Sequence, residues 1–206
     1  MSLEVCEGVV EPAVAAELPG LSIHWVDVPR GVGKTPSGLA TELGFAAQRM
    51  RGATIVMAST GTIAAAYRSF ARQLGMDPAA VSGSVEAVAM RRLLSGGLSP
   101  TGIPNDAATL ATLEFGAPIT VFDAGALSGA LSIARAEASG PLHAVGDIVL
   151  TDQQQEVGRL FTEPFPQFQA SRKTKSLRFA TVGVPEVAAG LCRSELQRAA
   201  ELMFEH

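Results

Sequence analysis

Three groups of residues have types and spacing that could do chemistry. The first is Gly33-Lys34-Thr35, which ends like the phosphate-binding turn of a P-loop. That turn needs a glycine five residues before Gly33 so that the backbone can wrap a phosphate, and Val28 stands there. Pro36 follows the threonine directly and leaves no ordinary helix opening to present Lys34 and Thr35. The segment therefore reads as a turn between a strand and a helix, and no nucleotide is expected on it. The second group is Arg92 and its helix, SVEAVAMRRLLSGG. Val85, Val88, Ala89, Arg92 and Leu93 recur at three- and four-residue intervals, which puts Arg92 on or beside the buried stripe and Arg91 elsewhere. A long cation so placed either snorkels to water or reaches an anion in a cavity. The third group is the cationic run Arg172, Lys173, Lys175 and Arg178, close to Phe165 and Phe168. Cations that contact phosphates and rings that stack on unpaired bases suit a single-stranded nucleic acid. The same run also reads as a solvated basic edge.

Other chemistry is disfavoured. Cys6 and Cys192 are isolated, with no Cys-x-x-Cys or Cys/His cluster, so neither a metal nor another cofactor is expected. His24 lies inside a strand, where a histidine is more often a packed or surface residue than a ligand. Sixteen basic against twenty acidic residues leave a net charge of −4, so the overall field does not favour wrapping DNA. The apolar runs are all shorter than the ~20 residues of a membrane span, and Glu4 stands where a signal peptide would be basic. The chain is expected to be cytoplasmic, with no membrane partner.

These residues must be positioned by a folded body, and 206 residues with 47% hydrophobic and 17% charged side chains describe one. Residues 1–206 read as a single domain. Strands are expected over Glu4–Val10, Leu21–Val28, Ala53–Ala58, Ile119–Phe122, Ala130–Ala136, Asp147–Leu150, Val157–Phe161 and Leu177–Val184. A helical turn is expected over Pro12–Leu18. Longer helices are expected from Gly38 to Met50 with Ser37 as N-cap, from Thr60 or Thr62 to Leu74, from Ser84 to Gly96, and through Glu114 behind Asn105 or Asp106. A last helix opens at Pro185. Apolar faces are read at Leu39, Leu43, Phe45 and Ala46 in the first helix, and at Val187, Leu191, Leu196, Ala199 and Met203 in the last. Strands clustered after helices favour α+β over a doubly wound sheet.

With those residues located, the sequence resembles the B3/B4 domain of the phenylalanyl-tRNA synthetase beta subunit in free-standing form. PGLSIHWVDV is similar to the family's opening strand, and YRSFARQLGMDPAAVSGSVEAVAMRRLLSGG to its helix pair. SPTGIPNDAATLATLEFGAPITVFD aligns without a gap to the segment that carries the family's pocket, and Thr174–Val182 resembles its late strand. The resemblance implies a layered β/β/α domain with mixed sheets and flanking helices. It also implies an editing activity. A pocket for phenylalanine rejects tyrosine only ~10²-fold, so a second site hydrolyses the wrong ester.

Carried over residue by residue, the family's Thr-Asn pair falls on Ala108 and Thr109, its pocket histidine on Thr120, and the glutamate that accepts the tyrosine hydroxyl on Ala180. The implied substrate site is Asn105, Thr109, Thr120 and Ala180 with Arg92, and Thr109 and Thr120 are candidates to orient the hydrolytic water. Arg172, Lys173, Lys175 and Arg178 would hold the tRNA acceptor end. The expected function is a trans-acting aminoacyl-tRNA deacylase. The alternative is a protein that binds an amino-acid-like small molecule, or tRNA, without hydrolysis.

Overall fold

The computed structural model describes residues 3–50, 61–140 and 142–205. In chain order the strands are β1 (Val5–Glu7), β2 (Val9–Val10), β3 (Ser22–Val28), β4 (Ile119–Asp123), β5 (Ser132–Arg135), β6 (Ile148–Thr151), β7 (Glu156–Arg159) and β8 (Leu177–Gly183). The helices are α1 (Pro12–Glu17), α2 (Ser37–Arg49), α3 (Thr62–Gln73), α4 (Val85–Ser95), α5 (Ile103–Phe115) and α6 (Ala189–Leu202). The strand expected over Ala53–Ala58, and Thr60 as a cap, lie outside the described residues.

Two four-stranded sheets result. The first, β1-β3-β8-β4, is antiparallel throughout. The second, β2-β5-β6-β7, is mixed, because β2 runs parallel to β5. The fold is α+β. Every residue of β8 is buried, and its alternation divides the interior into two clusters. Leu177 and Phe179 pack with Leu39, Leu43, Ile103 and Leu196 beneath the helices. Ala180 and Val182 pack on the other face with Trp25, Ile133, Leu150 and Val157, the last three linking the two sheets. The layers are therefore second sheet, first sheet, then α2, α5 and α6. Among the described residues no helix is long and apolar enough to cross a membrane.

Several boundaries move for local reasons. The strand expected over Glu4–Val10 is split at Gly8, where a Cβ would stand 2.1 Å from the Leu131 carbonyl oxygen. The missing side chain lets the chain pass from the first sheet to the second. Ser37 is the first residue of α2, not its cap, and Pro36 occupies the cap position with no side-chain bond to offer. Phe45 leaves the expected apolar face and is exposed, its place taken by Ala47. Leu93, expected on the buried stripe of α4, is also exposed. The cap of α5 is Gly102 at φ +127°, and Asp106 reaches back from within the helix to accept from the Thr101 and Gly102 N–H groups. Pro185 opens a turn rather than a helix. Glu186 takes a left-handed φ of +71°, Val187 N–H bonds the Val184 carbonyl, and α6 starts only at Ala189.

Glu195 on α6 is wholly buried, and neither carboxylate oxygen has a hydrogen-bond partner among the described residues. Burial pushes its pKa well above the ordinary carboxylate range, an effect the nearby Ala117 N–H offsets only in part. The folded protein therefore keeps a proton that the unfolded chain releases above about pH 4.3. Stability falls as pH rises past that value, by about 1.4 kcal/mol per pH unit for one proton, until the folded carboxyl itself ionises. Glu195→Gln removes this loss. Denaturant unfolding at pH 5 and pH 8 should show the variant gaining on the wild type at pH 8, and equal pH dependence in both would refute the assignment.

Candidate functional site

The cavity of interest lies at the exposed edge of the first sheet, where α4 and α5 meet β4. Ser84 caps α4 by accepting from the Ala87 N–H at 3.1 Å, and Gly96 at φ +71° ends the helix. Capped there, α4 turns Ala87, Val88 and Arg91 toward Asn105, Ala108, Thr109 and Thr112 of α5. Ile119, Thr120 and Val121 of β4 form another wall, and Ser82, Gly83 and Glu163 complete a cavity of about 320 Å³. That volume sits at the small end of small-molecule sites.

Two loops from different layers close it. Phe161 adopts a left-handed φ of +61°, and its ring meets Tyr67 and Phe70 edge-on at 5.9 and 6.0 Å. Its carbonyl accepts the Ser82 N–H at 2.9 Å, and the Ser82 hydroxyl in turn donates to Glu163. Gly83, at φ +71°, lies so close to β4 that a Cβ would stand 2.8 Å from the Ile119 carbonyl oxygen.

Thr109 and Thr112 are buried, so the interior is polar but uncharged, with Ala87, Val88, Ala108 and Ile119 as apolar wall. The charges stand at the exposed rim. Arg91 donates through Nη2 to Thr109 Oγ1 at 3.0 Å. The Glu163 carboxylate accepts from the Ser82 hydroxyl, and among the described residues neither Arg91 nor Glu163 forms an ion pair. A cation and an anion flanking a small cavity complement the ammonium and carboxyl ends of an α-amino acid.

Of the residues expected in the substrate site, Asn105, Thr109 and Thr120 come together here. Ala180 does not. It pairs with Thr120 in register, but it is 2% exposed and packs in the interior between the two sheets. Strand alternation turns it away from α5, and Thr120 reaches the cavity because β4 is an edge strand. Arg92 points away as well, its Nε donating to the Ala47 carbonyl at 3.0 Å. Arg91 takes the cavity position, one residue off the stripe read from the sequence. Glu163 carried no local signal, being one acidic residue in a Pro- and Phe-rich loop.

The cationic run is also divided. Arg172, Lys173 and Lys175 are exposed. Arg178 is buried and holds Asp27 through two bonds of 2.6 and 2.7 Å, bonds the Gly129 carbonyl, and lies over the Trp25 ring at 5.3 Å. It is a structural cation and is not available to a phosphate. Phe165 and Phe168 are buried too, so they cannot stack on bases. Burial pushes the Cys192 thiol up to about 11, which leaves it protonated at neutral pH. Among the described residues no group of His, Cys, Asp and Glu could hold a metal ion. No protein-family model matches the chain, and no curated protein does.

Two substitutions check this geometry. Gly83→Ala combines a left-handed backbone with a collision against Ile119, and it should cost about 1–2 kcal/mol in denaturant unfolding. Asp27→Ala leaves the buried Arg178 guanidinium with the Gly129 carbonyl and the Trp25 ring but without its half-exposed carboxylate partner, and it should cost about 1–2 kcal/mol. An unchanged midpoint in either variant would contradict the placement of that residue.

Proposed function

We propose that the protein is a trans-acting aminoacyl-tRNA deacylase working in the cytoplasm, a free-standing relative of the B3/B4 editing domain. The observation that carries this reading is the small polar cavity flanked by Arg91 on one side and Glu163 on the other. Its size and charge arrangement suit an aminoacyl group, and the sequence resemblance supplies the ester. Glu163 would pair with the α-ammonium. Arg91, already oriented by Thr109, would donate to the ester carbonyl oxygen as negative charge develops there. Asn105, Thr109 and Thr120 offer hydroxyl and amide groups that orient a water for attack. The bond between carbonyl carbon and ribose oxygen then breaks, leaving a free amino acid and a 3′-hydroxyl. An ester is labile enough that positioning and electrostatics supply the catalysis without a nucleophilic side chain.

One observation favours a second reading, that the cavity binds an amino-acid-like molecule without hydrolysing an ester. The described lining contains no histidine or cysteine, and its one carboxylate is exposed at the rim. Incubation with a panel of mischarged tRNAs separates the two. On the deacylase reading, Arg91→Ala should lower kcat by about 10²-fold, Glu163→Gln should mainly raise KM, and Arg92→Ala should change neither. Absence of hydrolysis above a buffer blank, with amino-acid binding that Arg91→Ala abolishes, would establish the second reading. If Arg91→Ala changes neither hydrolysis nor binding, both readings fail.

A further inference from the structure

A second cavity opens at the other side of the start of α5, and its lining includes the segment whose sequence imitates a P-loop. Its volume is about 690 Å³, against about 320 Å³ for the Arg91 cavity. Val32, Gly33, Lys34 and Thr35 form one wall, Pro100, Thr101 and Gly102 another, and Arg172 stands across from them. Against the expectation from its sequence, which lacks the P-loop glycine, we infer that this is a nucleotide site, in which the Lys34 and Arg172 side chains take the phosphate and the remaining space takes the nucleoside. The inference does not rest on the deacylase reading.

The walls are built rather than loose. Gly31 approaches the opposite loop so closely that a Cβ would stand 2.2 Å from the Thr174 carbonyl oxygen. That contact brings the Lys34 and Arg172 loops to one cavity. Thr174 is buried, accepts from the Ser171 N–H at 2.9 Å and donates to Asp123 at 2.6 Å, which holds the turn that carries Arg172. On the other side, the Ile103 N–H bonds the Gly33 carbonyl at 3.0 Å. Buried Asp106 accepts from the hydroxyls of both Thr35 and Thr101. The loop, which leads into α2 in sequence, is thus also tied to the start of α5.

The charge pattern indicates the ligand. Asp106 already occupies the Thr101 and Gly102 N–H groups, so the attraction for an anion comes from the two side-chain cations and not from the helix end. Among the described residues neither Lys34 nor Arg172 has an ion-pair partner. Nor does any described group accept from the backbone N–H of Lys34 or Thr35. Two unpaired cations lining one cavity repel each other, and a bridging oxyanion turns that repulsion into two attractions. A bare phosphate would leave most of the volume unused. Val32 and Pro100 add apolar surface suited to a sugar and base.

A free nucleotide and a nucleotide unit of an RNA strand present the same phosphate chemistry. Titration calorimetry with the common nucleoside 5′-monophosphates, inorganic phosphate and a short single-stranded RNA separates them. Lys34→Ala and Arg172→Ala should each weaken nucleotide binding at least about 10-fold, while Arg49→Ala, which removes an exposed cation from α2, should leave it unchanged. If RNA binds and each variant lowers the slope of log K against log salt by roughly 0.7, the source is a strand. If only monophosphates bind, and both variants weaken them, the source is a free nucleotide. The inference is overturned if neither probe binds, if Lys34→Ala and Arg172→Ala bind like wild type, or if inorganic phosphate binds as tightly as every nucleotide. Hydrolysis at the Arg91 cavity is a separate readout, so failure of one site is distinguishable from failure of the other.

Discussion

β8 must be buried on both faces and paired on both edges, and the other layers follow from that constraint. Its neighbours β3 and β4 satisfy its backbone, the helices cover Leu177 and Phe179, and the second sheet covers Ala180 and Val182. A polar residue on such a strand needs partners wherever it points. Thr181 donates to the Pro118 carbonyl, and Arg178 has Asp27, Gly129 and the Trp25 ring. The arginine that resembled part of a basic patch is therefore the bond by which the central strand, its neighbour and the second layer's approach are held in register.

The Arg91 cavity exists because the first sheet stops at β4. An edge strand leaves backbone unpaired and invites a cover, and here α4, α5 and two loops provide one that is incomplete. The gap they leave is the cavity. Gly83 lies against Ile119 and Phe161 is held in a left-handed conformation between two rings, so the loops that bring Ser82 and Glu163 are placed by contacts with both layers. The Lys34 cavity is made in the same way, from loops joined by a glycine contact and by the Asp106 carboxylate at the start of α5.

Much of this was legible in the residues. Period-two and 3.6-residue patterns located β3, β4, β8, α2, α4 and α5 to within a few residues, and clustering of strands late in the chain indicated α+β. What failed was the rotation of helices by one residue and the fate of long polar side chains. The stripes through Arg91 and through Arg92 on α4 differ by about 100°, and both contain apolar residues. Only the position of α2 beneath Arg92 and of Thr109 beside Arg91 decides between them. Glu195 shows a related failure, since a glutamate amid RSELQR on the last helix looks solvated and is wholly buried.

The sequence by itself determined the element types, the helix stops at Gly96 and Gly116 and the apolar faces that must be covered, because each depends on interactions within a few residues. It also placed Asn105, Thr109 and Thr120 as neighbours through the resemblance of one unbroken stretch. Tertiary structure alone decided that Arg91 and Glu163 flank one cavity, that Lys34 and Arg172 line another, and that Arg178 and Ala180 belong to the interior. Those outcomes depend on which layer a strand face meets and on backbone contacts between loops distant in sequence. Local spacing carries no record of either.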